Sequence, residues 1–317
     1  MDNLPLFDEP PAFDRERLHR RLDDLARQRV LIGTSSWKYP GWFGQIYTPE
    51  RYYSRGRFSE KRFQDECLAE YAETFPIVCG DFTFYQFPTE AYWRKLFNSA
   101  PASLKFAFKV PEEISVKVFP KHPRYGARGG EDNASFLNAE AMQGMLLQVL
   151  QPWRDRVAAL ILEFGQFPKF CYRDGSEFLA ELDPFLSGLP REFRYAVEVR
   201  NEEFLTPEYF ACLREHGVAH VLSAWTRMPE LQEQIALPEA YTANFSLVRA
   251  LLRRGRAYEQ AVAKFSPYKD IQDPNPGARS AIRAVIQRAR ERNEPAYIFV
   301  NNRLEGNAPR TIEEIIS

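Results

Sequence analysis

A chain of 317 residues has room for one large domain or two ordinary ones, and its 44% apolar content is that of a globular protein. Basic and acidic residues nearly cancel, 42 against 43, and the formal charge of −1 argues against a surface that is one continuous nucleic-acid footprint. No apolar run approaches the roughly 20 residues that span a bilayer, and the acidic start MDNLPLFDEPP lacks the parts of a signal peptide, so a cytoplasmic location is expected.

Residues 1–13 are rich in proline and acid and are expected to form a loose tail. In DRERLHRRLDDLARQ (14–28), Leu18, Leu22 and Leu25 recur at helical spacing, which predicts a short amphipathic helix. Residues 1–29 are thus a tail and helix ahead of one domain, 30–317. Apolar, β-rich runs follow at 30–37, 77–85, 105–110, 158–164, 193–199, 219–224, 245–250 and 297–302. Between them lie helical patterns such as RFQDECLAEYAE, EAYWRKLFNSA, PEYFACLREHG and SAIRAVIQRARERN. Eight strands joined by mostly helical crossovers predict an α/β fold, a parallel (β/α)8 TIM-type barrel, with a doubly wound open sheet as the alternative. The stretch 111–135, rich in proline, glycine and charge, reads as a long insertion after the third strand.

Cys67, Cys79, Cys171 and Cys212 form no CxxC, and His19, His122, His216 and His220 are scattered without HExxH. His216 and His220 stand four apart, but Gly217 is expected to end the helix between them, so no metal pair is indicated there. P-loop, GxGxxG, GxSxG and kinase signatures are absent, and no cofactor is predicted.

In a barrel strand, alternate residues face the lumen. Parity turns Lys105, Ala107 and Lys109 inward from the third strand, Glu163 from the fourth, and Ala196, Glu198 and Arg200 from the fifth. The same rule assigns Gly33, Ser35 and Trp37 to the interior of the first strand and Asp81, Thr83 and Tyr85 to that of the second. Arg249 ends the seventh strand and Asn301 the eighth. These charges collect at the C-terminal ends of their strands, the barrel face that carries active sites. Two readings are open: a ring of salt bridges plugging the mouth, or a site with Glu198, Glu163, Lys109 and Asp81 as catalytic groups. In the second reading Arg200, Arg249, Trp37, Tyr85, Asn301, Asn302 and Asn307 bind the ligand. The first loop, SSWKYPGWFGQIYTP, offers Trp42 and Phe43 either as a stacking wall or as a hydrophobic lid. Arg253, Arg254 and Arg256, after the seventh strand, read as a solvated patch.

Taken together, GTSSWKYPGWFGQIY, DFTFY, FAFKVP, YAVEVRNEEF, LVRA and FVNNRLEGNAPR resemble, in order, the motifs of the YecE-like family, also called domain of unknown function 72. The resemblance spans about 30–312 and implies a TIM-type barrel without an established activity. It carries Thr83, Tyr85, Lys109, Glu198, Arg200, Arg249, Asn301 and Asn302 onto the family pattern. The chain departs from it at Cys79 and Asp81, where VEINSTFY is usual, and at Glu163, where glutamine is usual. The Thr-His that often follows the third strand is replaced near Ser115 and Val116, and a His-Gly after Arg249 is missing.

The residues accordingly suggest an enzyme of hydrolase, isomerase or lyase type acting on a small polar, anionic ligand bearing phosphate or carboxylate, without a metal ion. The alternative is binding of nucleic acid or a regulatory ligand without turnover, through Lys117, Lys121, Arg124 and Arg128 of the insertion and the arginines after the seventh strand.

Overall fold

Eight parallel strands close into a barrel in the computed structural model, which describes residues 13–317. They are β1 (Val30–Thr34), β2 (Ile77–Gly80), β3 (Lys105–Lys109), β4 (Val157–Glu163), β5 (Tyr195–Glu198), β6 (Ala219–Ala224), β7 (Ser246–Ala250) and β8 (Ala296–Val300). Each pairs with its chain neighbour, and β8 pairs with β1 along its full length, Val30 opposite Ala296 through Thr34 opposite Val300. The seam between β1 and β2 is short, Thr34 opposite Val78. The TIM-type barrel expected from the strand count is therefore what the chain forms. The loose tail expected over residues 1–13 lies, apart from Phe13, outside the described residues.

The helix expected before the first strand runs over Arg15–Arg27, capped by the Asp14 carboxylate and burying Leu18 and Leu22. Crossover helices Glu60–Tyr71, Glu90–Asn98, Gly175–Ser187 and Pro207–Glu215 start at Ser59, Thr89, Asp174 and Thr206, whose side-chain oxygens take the orphan amides of the first turn. Pro276–Arg292 covers the last crossover. From Pro111 to Asn138 there are only short helical turns, so the insertion after β3 is present.

Strand parity holds. Val78, Phe106, Phe108, Leu160, Leu162, Val197, Val248 and Ile298 join the helices in one core, while Ile77, Cys79, Ala107, Ile161, Ala196, Val221, Leu247 and Phe299 fill the lumen. A packed apolar lumen leaves the C-terminal mouth as the place where inward polar groups gather.

The second strand is shorter than expected. It ends at Gly80, and Asp81–Tyr85 forms a 3-10 turn. Thr83 Oγ1 lies 3.1 Å from the carbonyl oxygen of Gly80 and 2.6 Å from that of Lys109, so a local side-chain bond replaces the ladder.

Candidate functional site

Six charged side chains from five strand ends meet at the mouth. Glu163 on β4 and Glu198 on β5 stand opposite one another in register. Both accept from Nη1 of Arg249, which enters from β7, while its Nη2 lies 3.2 Å from Asp81 Oδ1. Lys109 Nζ is 2.8 Å from Glu163 and 3.6 Å from Asp81. Arg200 Nη2 is 3.0 Å from Glu163 and 3.5 Å from Glu198. Ser223 Oγ donates to Glu198 at 3.0 Å.

Burial is graded across this group. The Glu198 and Arg249 side chains are 0% and 1% exposed, whereas Lys109, Arg200 and Asp81 reach 12%, 15% and 31%. The inner pair forms a floor and the outer three face solvent. Burial by itself would raise the Glu163 carboxyl, but Arg200, Lys109 and Arg249 overcome it and hold that group well below the usual carboxylate range. Burial likewise works against the charge on Arg249 and Lys109, yet the facing carboxylates keep both cations above their ordinary values.

Aromatic faces back the outer cations. Arg200 lies 3.7 Å from the Trp225 ring centroid and Lys109 Nζ 4.9 Å from that of Phe84. Arg200 spends one nitrogen on the carboxylates, and its buried Nε has no partner in the protein. Beyond the ring stand Tyr39, pushed up to about 12 by burial against the pull of Arg303, and Arg303 itself, which has no carboxylate partner among the described residues and stacks 4.5 Å from Tyr258.

Other expected site residues lie elsewhere. Trp37 is buried beside Lys38, Leu68 and Lys95, in the groove between helices Glu60–Tyr71 and Glu90–Asn98. Tyr85, carried outward by the 3-10 turn, is 60% exposed and stacks under Arg124. Asn301 caps the turn Asn302–Glu305 by accepting from the Arg303 amide. Asn302 Oδ1 accepts from Trp42 Nε1 at 3.2 Å and from the Ala308 amide at 2.8 Å. Asn307 caps Ala308–Ile316 and donates to the carbonyls of Tyr268 and Lys269. These three amides hold the loop after β8 together. Trp42 is fully buried against Tyr39 and Tyr47, which makes the first loop a lid. Arg253 and Arg256 pair with Asp273, and Arg254 with Glu202 and Glu233.

Strand parity had the means to find Ser223, two residues after inward Val221. Trp225 and Phe84 lie past the strand ends, where parity gives no signal. A concavity of about 640 Å³ lies between the insertion and the loop after β4, lined by Val118, Phe119, Phe167, Phe170 and Lys121 and by none of the six ring residues.

A profile of the family described as "Protein of unknown function DUF72" matches residues 31–317. The chain belongs to the DUF72 family. Two solved DUF72 proteins share its fold. One, TM1631 from Thermotoga maritima MSB8, is 18% identical with a TM-score of 0.60 over 90% of this chain and 97% of that one. The other, EF0366 from Enterococcus faecalis V583, is 17% identical with a TM-score of 0.60 over 90% and 95%. No curated protein matches the chain. Among the described residues no helix is long and apolar enough to cross a membrane.

Proposed function

We propose that the mouth of this DUF72 barrel binds a small polar ligand bearing phosphate or carboxylate and turns it over by acid–base chemistry. The observation that carries this reading is the Arg200 guanidinium, 15% exposed and 3.7 Å from the Trp225 ring centroid, of which only Nη2 is spent on the carboxylates of the ring. Three acids and three bases balance within the ring, so an anion is attracted by free donors rather than by net charge. A pure plug has no use for three members that face solvent.

The graded burial divides the roles. Glu198 and Arg249 are sealed and act as positioning residues. Glu163, held ionised by three cations, orients Lys109 and Arg200. Asp81, the most exposed carboxylate of the ring, is the proton acceptor that can touch a ligand, with Lys109 beside it. Binding of nucleic acid draws less support: Lys117, Arg124 and Arg128 of the insertion already pair with Glu181, Glu112 and Glu113.

The test is thermal unfolding against phosphorylated sugars, nucleotides, carboxylates, free sugars and oligonucleotides. A ligand at a hundredfold its dissociation constant adds about 2.7 kcal/mol of stability. The reading expects a shift with an anionic small molecule, retained in Asp81→Asn while turnover is lost. A shift only with oligonucleotides, falling steeply with salt, sinks it.

A further inference from the structure

On the opposite face of the barrel, two crossover helices end side by side. Gly175–Ser187 leads into β5 and Pro207–Glu215 into β6, so their C-terminal turns lie at the N-terminal edge of the strands, away from the mouth. Cys212 is in the last turn of the second helix and His216 is its C-cap, four residues on and still in helical conformation. Gly217 then takes φ +64° and turns the chain away, so His220 enters β6, buried against Tyr209 and Phe210. His216 has Cys212, not His220, as its companion. Asp183 faces both from the first helix.

The three side chains are of three chemical kinds and already converge. His216 Nε2 is 2.6 Å from Asp183 Oδ1, and Cys212 Sγ is 3.8 Å from the same oxygen. All three ligand atoms lie within 4.8 Å of one another. A tetrahedron with bonds of about 2.0–2.3 Å has edges of about 3.3–3.7 Å. The cysteine–aspartate spacing is close to such an edge. The histidine–aspartate spacing must open by less than about 1 Å on that geometry, which Asp183, with its side chain 57% exposed, is free to do. The imidazole is 8% exposed and fixed in place. Both helices present their negative ends here, which favours a cation. Arg191 approaches only the carbonyl oxygen of His216 and leaves the ligand atoms open.

We propose that Asp183, Cys212 and His216 form a zinc site that pins the two crossover helices together. One thiolate, one imidazole and one carboxylate suit Zn2+ over the hard oxygen-seeking cations, and water completes the tetrahedron. On binding, hydrated Zn2+ keeps one water and releases the others, the His216–Asp183 hydrogen bond and the Cys212 S–H bond break, the thiol proton leaves to solvent, and the site gains one Zn–S, one Zn–N and one Zn–O bond. Its place at the stability face of the barrel keeps the metal apart from chemistry at the mouth, and ligands drawn from both helices give it a pinning role.

Cobalt(II) titration of chelator-treated protein, followed by absorption, tests this. The expected result is one equivalent bound with tetrahedral visible bands and a thiolate-to-cobalt charge-transfer band, displaced by zinc. The charge-transfer band is lost in Cys212→Ser and kept in Cys171→Ser. Affinity falls at least about 10-fold in Asp183→Asn and His216→Gln, since even an outer-shell partner is worth that much. Zinc raises the melting temperature of the wild type and not of Cys212→Ser, with circular dichroism showing that both are folded. A cobalt spectrum without the thiolate band, or a band that survives Cys212→Ser, overturns the site. A zinc-bound protein that melts no higher than the apo protein overturns its pinning role.

Discussion

Glu163 and Glu198 stand opposite one another on β4 and β5 and accept from the same nitrogen of Arg249. Two buried carboxylates side by side are tenable because Arg249 lies between them while Lys109 and Arg200 hold Glu163 from the outer side. Removing Arg249 leaves the more deeply buried Glu198 with Ser223 and the longer Arg200 contact alone. Arg249→Met is expected to cost about 3–5 kcal/mol in urea unfolding, and adding Glu163→Gln with Glu198→Gln is expected to recover part of it. A loss under about 1 kcal/mol, the range of exposed pairs, contradicts the arrangement.

His220 supplies a pH dependence of known sign. Burial pushes its imidazole down to about 3, while the unfolded chain titrates near the ordinary value of about 6.5. Below about 6.5 the unfolded state takes up the proton first, so stability falls with pH until the folded state also protonates near 3. The slope contributed is up to about 1.4 kcal/mol per pH unit. Urea midpoints at several pH values between those limits should show this component in the wild type and lose it in His220→Asn. Equal slopes argue against a buried neutral histidine.

Much of this was legible in the chain. Eight apolar runs bounded by turn residues marked eight strands, alternation turned Lys109, Glu163 and Glu198 into the lumen, and their places near the strand ends, with Arg249 at the end of the seventh, put them at one mouth. The alternation failed where the backbone left the ladder. DFTFY has strand-forming residues, but Thr83 caps the carbonyls of Gly80 and Lys109, and the turn sends Tyr85 outward. Asn302 and Asn307 had the chemistry of ligand donors. Asn307 stands before Ala-Pro, however, and that is a helix start, so its amide serves the backbone. Trp225 was illegible because its role depends on where Arg200 crosses it in space.

Closure of the barrel at β1 and β2 depends on a missing side chain. A Cβ on Gly33 would sit 1.8 Å from the carbonyl oxygen of Ile77. Because the obstacle is backbone, relief requires the two strands to separate at their short seam. Gly33→Ala is therefore expected to lower the melting temperature by many degrees or to abolish soluble expression, whereas Gly44→Ser, at φ +77° in open space, carries only the milder backbone strain. Comparable melting of the two variants contradicts this account.

Asn302 joins the first loop to the last. Its Oδ1 serves both the Trp42 indole and the Ala308 amide, each inside the protein. Asn302→Ala leaves two buried donors without an acceptor, at about 1–3 kcal/mol each. Faster hydrogen exchange at Ala308, with broadened Trp42 indole resonances, is the expected signature. Unchanged exchange there shows that the loop is held by other contacts.

The central claim is that the free donors of Arg200 receive the anionic group of a ligand at the mouth. Calorimetric titration of the first stabilising small anion into wild-type and Arg200→Gln protein tests it directly. The account predicts at least about tenfold weaker binding in the variant, the loss of a charge-assisted bond of about 1.5–3 kcal/mol, with circular dichroism showing that both proteins are folded at the titration temperature. Equal affinity in the two proteins contradicts it and leaves the charge ring as a plug.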